Sequence, residues 1–197
     1  SANFIDPNAG IGKSVSVSGF TLGGTDAGNY TSVGSTAGAT ADIAQALLTV
    51  TAADTSRIYG DANPTFSGSI AGFVNGETAG VLTAAPTYGT TATLISNVGS
   101  YAIVGAGGTA TNYSFSYVDA SLGITTRPLT ITANAQSKTY GDVDPTLSYA
   151  IGATAAGTGL ANGDTLGGSL ARIAGETVVG GPYAIQQGSL AASSNYT

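Results

Sequence analysis

In "NYSFSYV", Tyr113, Phe115 and Tyr117 alternate with Ser114 and Ser116, so one face of an extended segment carries aromatic rings and the other only hydroxyls. This period of two predicts a β-strand with one face against a core. "KSVSVSGFTL" repeats the pattern with Val15 and Val17. Helical spacing is nowhere sustained. The most helix-like stretch, "ADIAQALLTVTAA", is interrupted by Asp42 and Gln45 and is too short to span a bilayer. "GFVNGETAGVL" and "GLANGDTLGGSL", where Asn-Gly precedes an acidic residue and Thr, read as a turn or a single helical turn between strands. "GAGGTA" from Gly105 follows "YAIV", opens no helix and reads as a loop. The fold class predicted is mainly β.

The pattern recurs. "LTVTAADTSRIYGDANPT" from Leu48 aligns with "LTITANAQSKTYGDVDPT" from Leu129 at an offset of 81 without gaps. Further on, "VNGET" at Val74 pairs with "ANGDT" at Ala161, "SYAI" at Ser100 with "PYAI" at Pro182, and "TNYS" at Thr111 with "SNYT" at Ser194. The offset drifts to 87 and returns to 82 and 83, which places a six-residue insertion within "YAIGATAAGTG" of the later copy. A partial copy at the start carries "AGNYT" at Ala27. These repeats divide the chain into a partial module at 1–46, a complete one at 47–127 and a third at 128–197 that stops before the strand corresponding to "FSYVDASLGI". Between modules, "GITTRPLTI" and "DIAQALLTV" leave no flexible coil, and Pro128 biases Arg127 toward extended backbone. Such joints predict small β-rich modules, with room for one short helix in each, stacked into an elongated rod whose neighbours help each other bury a core.

The repeated Tyr-Gly-Asp-x-x-Pro is the most specific motif, at Tyr59–Pro64 and Tyr140–Pro145. A turn explains each residue type: an aromatic for the core, a Gly able to take φ > 0, an Asp that bonds nearby backbone N–H groups, and a Pro that starts an extended run. Asn63 and Asp144, each before the proline, are expected to be extended.

Composition narrows function. At 42% hydrophobic residues the chain is too apolar for disorder, and with 8% charged residues and a net charge of −6 it lacks the basic patch of a nucleic-acid or acidic-membrane binder. Its five basic residues, Lys13, Arg57, Arg127, Lys138 and Arg172, are scattered. Cys and His are absent, which removes disulfides, thiolate chemistry, Cys/His metal sites and the commonest proton-transfer residue. No enzyme activity is expected, and no catalytic, cofactor-binding or metal residue is assigned; the ligand-binding residues remain unassigned. Ser1 opens in polar sequence without the pattern of a signal peptide, and no membrane insertion is expected. A Cys-free chain rich in Gly, Ala, Ser and Thr suits a large secreted bacterial surface protein.

Against the turn reading stands an oxygen-ligand cation site, with Asp142 and Asp144 two apart and Asp164 as the acid that folding would have to bring near; the earlier copy has Asp61 but Asn63. Asn29, Asn112 and Asn195 each head an Asn-Tyr-Ser/Thr acceptor pattern for N-glycosylation, equally explained by an Asn capping backbone and a Tyr packed inward. Tyr88 and Tyr149 are candidates for stacking on a sugar.

These blocks resemble the MBG domain of the YGX type, a module of very large secreted bacterial adhesins of the filamentous haemagglutinin kind. "LTVTA", "YGDANPTF", "FVNGET", "SYAI" and "TNYSFSYVDASLGIT" carry the resemblance, and it holds again through "LTITA", "YGDVDPTL", "LANGDT", "PYAI" and "SNYT". Residues 12–43 look like the back half of the companion YDG module. The resemblance implies a stalk or repeat region of a cell-surface or exported adhesin, acting in cell adhesion or biofilm matrix, with a glycan-binding module as the alternative. Neighbouring modules of the same chain are the expected partners, with host or matrix glycans as further candidates. Strand exchange between copies is expected near Tyr183–Tyr196 or Lys13–Phe20.

Overall fold

A computed structural model describes residues 2–19, 21–31, 36–152 and 156–197. Phe20, residues 32–35 of the YDG-like stretch and residues 153–155 of the expected insertion lie outside the described residues. The protein is mainly β. In chain order the strands are β1 (Ala2–Phe4), β2 (Gly10–Ser18), β3 (Thr36–Ile43), β4 (Ala46–Ala52), β5 (Thr55–Ile58), β6 (Gly68–Ala71) and β7 (Ala84–Thr90). There follow β8 (Gly99–Thr109), β9 (Tyr113–Val118), β10 (Ala120–Thr125), β11 (Ile131–Ala133), β12 (Tyr149–Ile151), β13 (Ala171–Arg172) and β14 (Ile185–Gln186).

By contacts the chain divides into two compact units, and the division runs through the complete module. The first unit comprises Ser1–Ala52, Ser67–Gly89 and Val104–Asp119. It holds an antiparallel sheet of order β1-β2-β3 and a second of order β6-β4-β9. Val15 and Val17 of β2 are half-buried while Ser14, Ser16 and Ser18 are exposed, which is the alternation read from the sequence. β4 carries the core of this unit, with Leu48, Val50 and Ala52 buried at alternate positions. It runs antiparallel to β6 and parallel to β9, from Ala46 opposite Tyr113 to Thr51 opposite Val118. Parallel neighbours need a crossover, and the rest of the module supplies it.

The second unit comprises Ala53–Phe66, Thr90–Ile103 and Ala120–Thr197. In it β10 lies between β5, to which it is parallel, and the first half of β8, to which it is antiparallel. Leu122 and Ile124 of β10 are buried with Ile103 of β8. Beyond Arg127 the strands are short: β11 pairs with β12 and β13 with β14, both antiparallel.

Two sequence readings change. "GAGGT" of "GAGGTA", residues 105–109, is the end of β8 rather than a loop. Its glycines answer the aromatic face of β9: a Cβ on Gly105 would lie 2.8 Å from the Tyr117 ring, and one on Gly108 3.1 Å from Phe115. The room left for a short helix is taken, in the complete module, by a three-residue 3-10 turn at Ala79–Val81. "ADIAQALLTVTAA" forms the end of β3 and all of β4.

Candidate functional site

Two turns and one pair of side chains recur with the same atoms; the Asn-Tyr pair reaches the preceding module in both copies, and in the second unit the turns Tyr59–Asp61 and Ala161–Asp164 join that contact. The first turn is the Tyr-Gly-Asp motif. The Asp61 N–H donates to the Ile58 carbonyl at 3.1 Å with Gly60 at φ +80°, and the Asp142 N–H donates to the Thr139 carbonyl at 3.1 Å with Gly141 at φ +89°. Positive φ at the third residue is what a type II turn demands and what glycine supplies without strain. The second turn is Asn-Gly. Asn75 and Gly76 stand at φ 55° and 74°, Asn162 and Gly163 at 54° and 78°. Their closing bonds run from the Glu77 N–H to the Val74 carbonyl and from the Asp164 N–H to the Ala161 carbonyl. Two successive positive φ values define a type I′ turn, for which Asn-Gly is the favoured pair.

A tyrosine locks each Asn-Gly turn. The Tyr113 hydroxyl accepts from the Val74 N–H at 3.1 Å and donates to Glu77. The Tyr196 hydroxyl accepts from the Ala161 N–H at 3.0 Å and donates to Asp164 at 2.7 Å. The Glu77 carboxylate raises the pKa of Tyr113, and burial raises that of Tyr196, so both hydroxyls keep the proton they donate. These are the tyrosines of the Asn-Tyr-Ser/Thr pattern, and the asparagines before them reach the preceding module. Asn112 Oδ1 accepts from the Ala9 N–H at 2.9 Å while its amide donates to Asn8 at 3.1 Å. Asn195 Oδ1 accepts from the Val98 N–H at 2.9 Å while its amide donates to Asn97 at 2.9 Å. Backbone adds a further bond in each joint, from the Ala46 N–H to the Asn112 carbonyl and from the Arg127 N–H to the Asn195 carbonyl.

In the second unit this contact is closed by the Tyr-Gly-Asp turn itself. Tyr59 is 4% exposed. Its ring meets Tyr196 edge to face at 5.6 Å, and its hydroxyl donates to Asp164 at 3.0 Å. Arg127, 7% exposed, donates to the Asp61 carboxylate at 2.8 Å, to the Tyr59 carbonyl at 3.0 Å and to the Thr158 and Gly159 carbonyls. A Cβ on Gly60 would lie 2.4 Å from that of Ala161, so the glycine also lets the two turns touch. Asp61 therefore bonds the guanidinium of Arg127, at the joint with the next module, rather than the local N–H groups expected.

The other sequence candidates disperse. Asp164 is held by the hydroxyls of Tyr59 and Tyr196 and Asp144 by Lys138 and Arg172, while Asp142 meets Lys138 only through its backbone carbonyl, at 3.1 Å. Among the described residues no group of three or more acidic side chains is arranged to hold a metal ion. Asn29 is exposed at the end of the 3-10 turn Ala27–Asn29, whereas both polar atoms of the Asn112 and Asn195 side chains are engaged. Tyr88 is half-buried against Gly68 in the first unit, and Tyr149 lies on β12 in the second. Sequence reasoning placed Arg127 in the joint but missed what its guanidinium grips, and missed the Asn-x-Gly triplets at Asn8 and Asn97. The available signal was an Asn-x-Gly shortly before an alternating strand, "NAGIGKSVSV" and "NVGSYAIV".

A family model described as the MBG domain (YGX type) matches residues 48–123 and 129–197, and one described as the YDG domain matches residues 1–40. Comparison with curated proteins and with solved structures returns no significant match. The two MBG matches fall on either side of the Arg127 joint and together take in most of the sequence; the chain belongs to the MBG domain (YGX type) family, with part of a YDG domain before it.

Proposed function

We propose that these residues are a repeat section of an exported or surface-held bacterial adhesin, in which consecutive modules act in series as a non-catalytic spacer for cell adhesion or a biofilm matrix. MBG and YDG domains are repeat domains typical of adhesin-like proteins. The observation that carries the reading is the recurrence of the Asn-Tyr contact to the preceding module, at Asn112 and again at Asn195. Such a contact fixes each module on the one before, which a spacer requires and an independent binding domain does not. The buried Tyr59 and Arg127 spend their polar groups within the joint, on both modules, and leave little with which to hold a diffusible ligand.

Small-angle scattering of the intact chain tests this. A compact particle of this length has a radius of gyration of about 16 Å; modules in series give a clearly larger value, and a value near the compact one sinks the reading. A glycan array belongs beside it. Saturable binding to one glycan class would move the function from spacing to ligand capture.

A further inference from the structure

The strands that open the complete module pair with those that close it, in parallel and at one offset. In the first unit β4 lies beside β9, six residue pairs from Ala46 opposite Tyr113 to Thr51 opposite Val118. In the second unit β5 lies beside β10, four pairs from Thr55 opposite Leu122 to Ile58 opposite Thr125. Every pair is 67 residues apart in sequence. Backbone bonds extend both ladders outward, from the Ala46 N–H to the Asn112 carbonyl and from the Tyr59 N–H to the Thr125 carbonyl, each at 2.9 Å. Just ahead of the β5 pairs, the Ser121 N–H donates to the Asp54 carboxylate at 2.7 Å. Leu48 and Val50 on β4, and Leu122 and Ile124 on β10, are buried and keep water from one face of these bonds.

We propose that these ladders are a mechanical clamp, through which the module carries in shear a load drawn along the chain. The chain enters the module by β4 and β5 and leaves it by β9 and β10. Tension therefore pulls the earlier strand of each pair toward its first residue and the later strand toward its last. In parallel neighbours those pulls oppose each other along the strand axis, so the bonds of a ladder are strained together and fail together. Antiparallel neighbours loaded in the same way would have both pulled ends side by side and would open one bond at a time. Little slack precedes or follows the clamp. β3 ends at Ile43 with two residues between it and β4, and Thr126 alone separates β10 from Arg127 of the joint. The later copy opens with the same parallel pairing, Arg127 with Tyr196. The use of such a clamp rests on the spacer reading, and its mechanics rest on the two ladders.

Single-molecule pulling on the intact chain tests the clamp by changing only the direction of load. The chain has no Cys, so a pair of introduced thiols fixes where the handles attach. Ala44→Cys with Thr125→Cys, both at exposed positions, loads the ladders in shear. Ala44→Cys with Thr111→Cys, also exposed, pulls the first ladder open from its Ala46 end. At one pulling speed the shear pair should break at a force at least about twice that of the peeling pair, because forced rupture follows the barrier along the direction pulled. The shear event should also free residues 44–125 at once, about 270 Å of extended chain. Urea midpoints equal to that of the unsubstituted chain show that both pairs are folded, and Ala44→Cys with Pro128→Cys repeats the shear test with a second handle. Equal forces in the two directions, or a weaker shear pair, would overturn the proposal. Equal forces in a chain that scattering finds extended would remove the clamp and leave the spacer; a strong clamp in a compact particle would do the reverse.

Discussion

In the earlier MBG copy, "LTVTAADTSRIYGD" becomes two strands, β4 with Leu48 and Val50 buried and β5 running into the turn. In the later copy, "LTITANAQSKTYGD" gives only the three residues of β11, and residues 136–139 take no strand state. Through "LTVTA" and "LTITA" the sequences are nearly interchangeable, so there local propensity is not the cause. The difference lies in partners: β9 lies alongside β4 and β10 alongside β5. In the later copy the corresponding parallel pairing consists of Arg127 with Tyr196 and the bond from the Leu129 N–H to the Thr197 carbonyl. Strand state in this module is conferred by neighbours. The same holds for the motif tyrosine, which is 4% exposed at Tyr59, under the next module, and 73% exposed at Tyr140.

The two copies also tie the motif to the sheet differently. Arg57 donates to Asn63 at 2.7 Å and to the Thr93 carbonyl at 2.6 Å, while the Asn63 amide donates to the Ala92 carbonyl. At the matching positions Lys138 pairs with Asp144, which Arg172 also grips, and Glu176 completes the group. One tie is a buried cation satisfied by neutral acceptors; the other is a half-exposed ion network.

The largest expected effect is at the joint that only the earlier Tyr-Gly-Asp turn makes. Arg127→Ala removes the buried cation that bonds the Asp61 carboxylate and the Tyr59 and Gly159 carbonyls, and should cost about 3 kcal/mol in chemical denaturation. Next comes the pair of motif glycines. Both pay for a left-handed backbone, about 1 kcal/mol, but only Gly60→Ala also drives a methyl into Ala161, so it should cost about 3 kcal/mol against about 1 for Gly141→Ala. Equal costs would break the comparison. Tyr113→Phe and Tyr196→Phe should each cost about 1–2 kcal/mol in the same denaturation assay, because each removes the hydroxyl that locks an Asn-Gly turn.

The smallest effect is the most specific to the ionic tie. Arg172 first, then Lys138, hold the Asp144 carboxyl at about 2, below the usual carboxylate range. Because its folded value is depressed, the stabilisation is present above about pH 4 and is lost as pH falls toward 2. Thermal melts of Asp144→Asn and the unsubstituted protein should differ at pH 7, converge near pH 2, and converge also in high salt. Asn63→Ala, in the neutral tie, should show a Tm loss that varies little across the same pH and salt range.

Much of this was legible in the sequence, and for identifiable reasons. The β class and both turns follow from residues within four of one another, Gly60 and Gly141 at positive φ and Asn-Gly closing on Glu77 and Asp164, and the repeat follows from their recurrence at an offset of 81 and more. The joint was only half legible. Pro128 and the absence of coil announced a stiff connection, but nothing local says that Asp61 faces Arg127, 66 residues on, or that Asn195 reaches back 98 residues to Asn97. "GAGGTA" misled because its glycines serve the rings of β9, which the segment itself does not contain.

The central claim is that the Tyr-Gly-Asp turn of the complete module is held by Arg127, the joint residue that also grips the next module, and a double-mutant cycle between Asp61 and Arg127 tests it most directly. Asp61→Asn, Arg127→Gln and the double variant would be unfolded in urea and their stabilities compared. The account predicts a coupling of about 1 kcal/mol or more between the two positions. Single effects that add to within about 0.3 kcal/mol would contradict it.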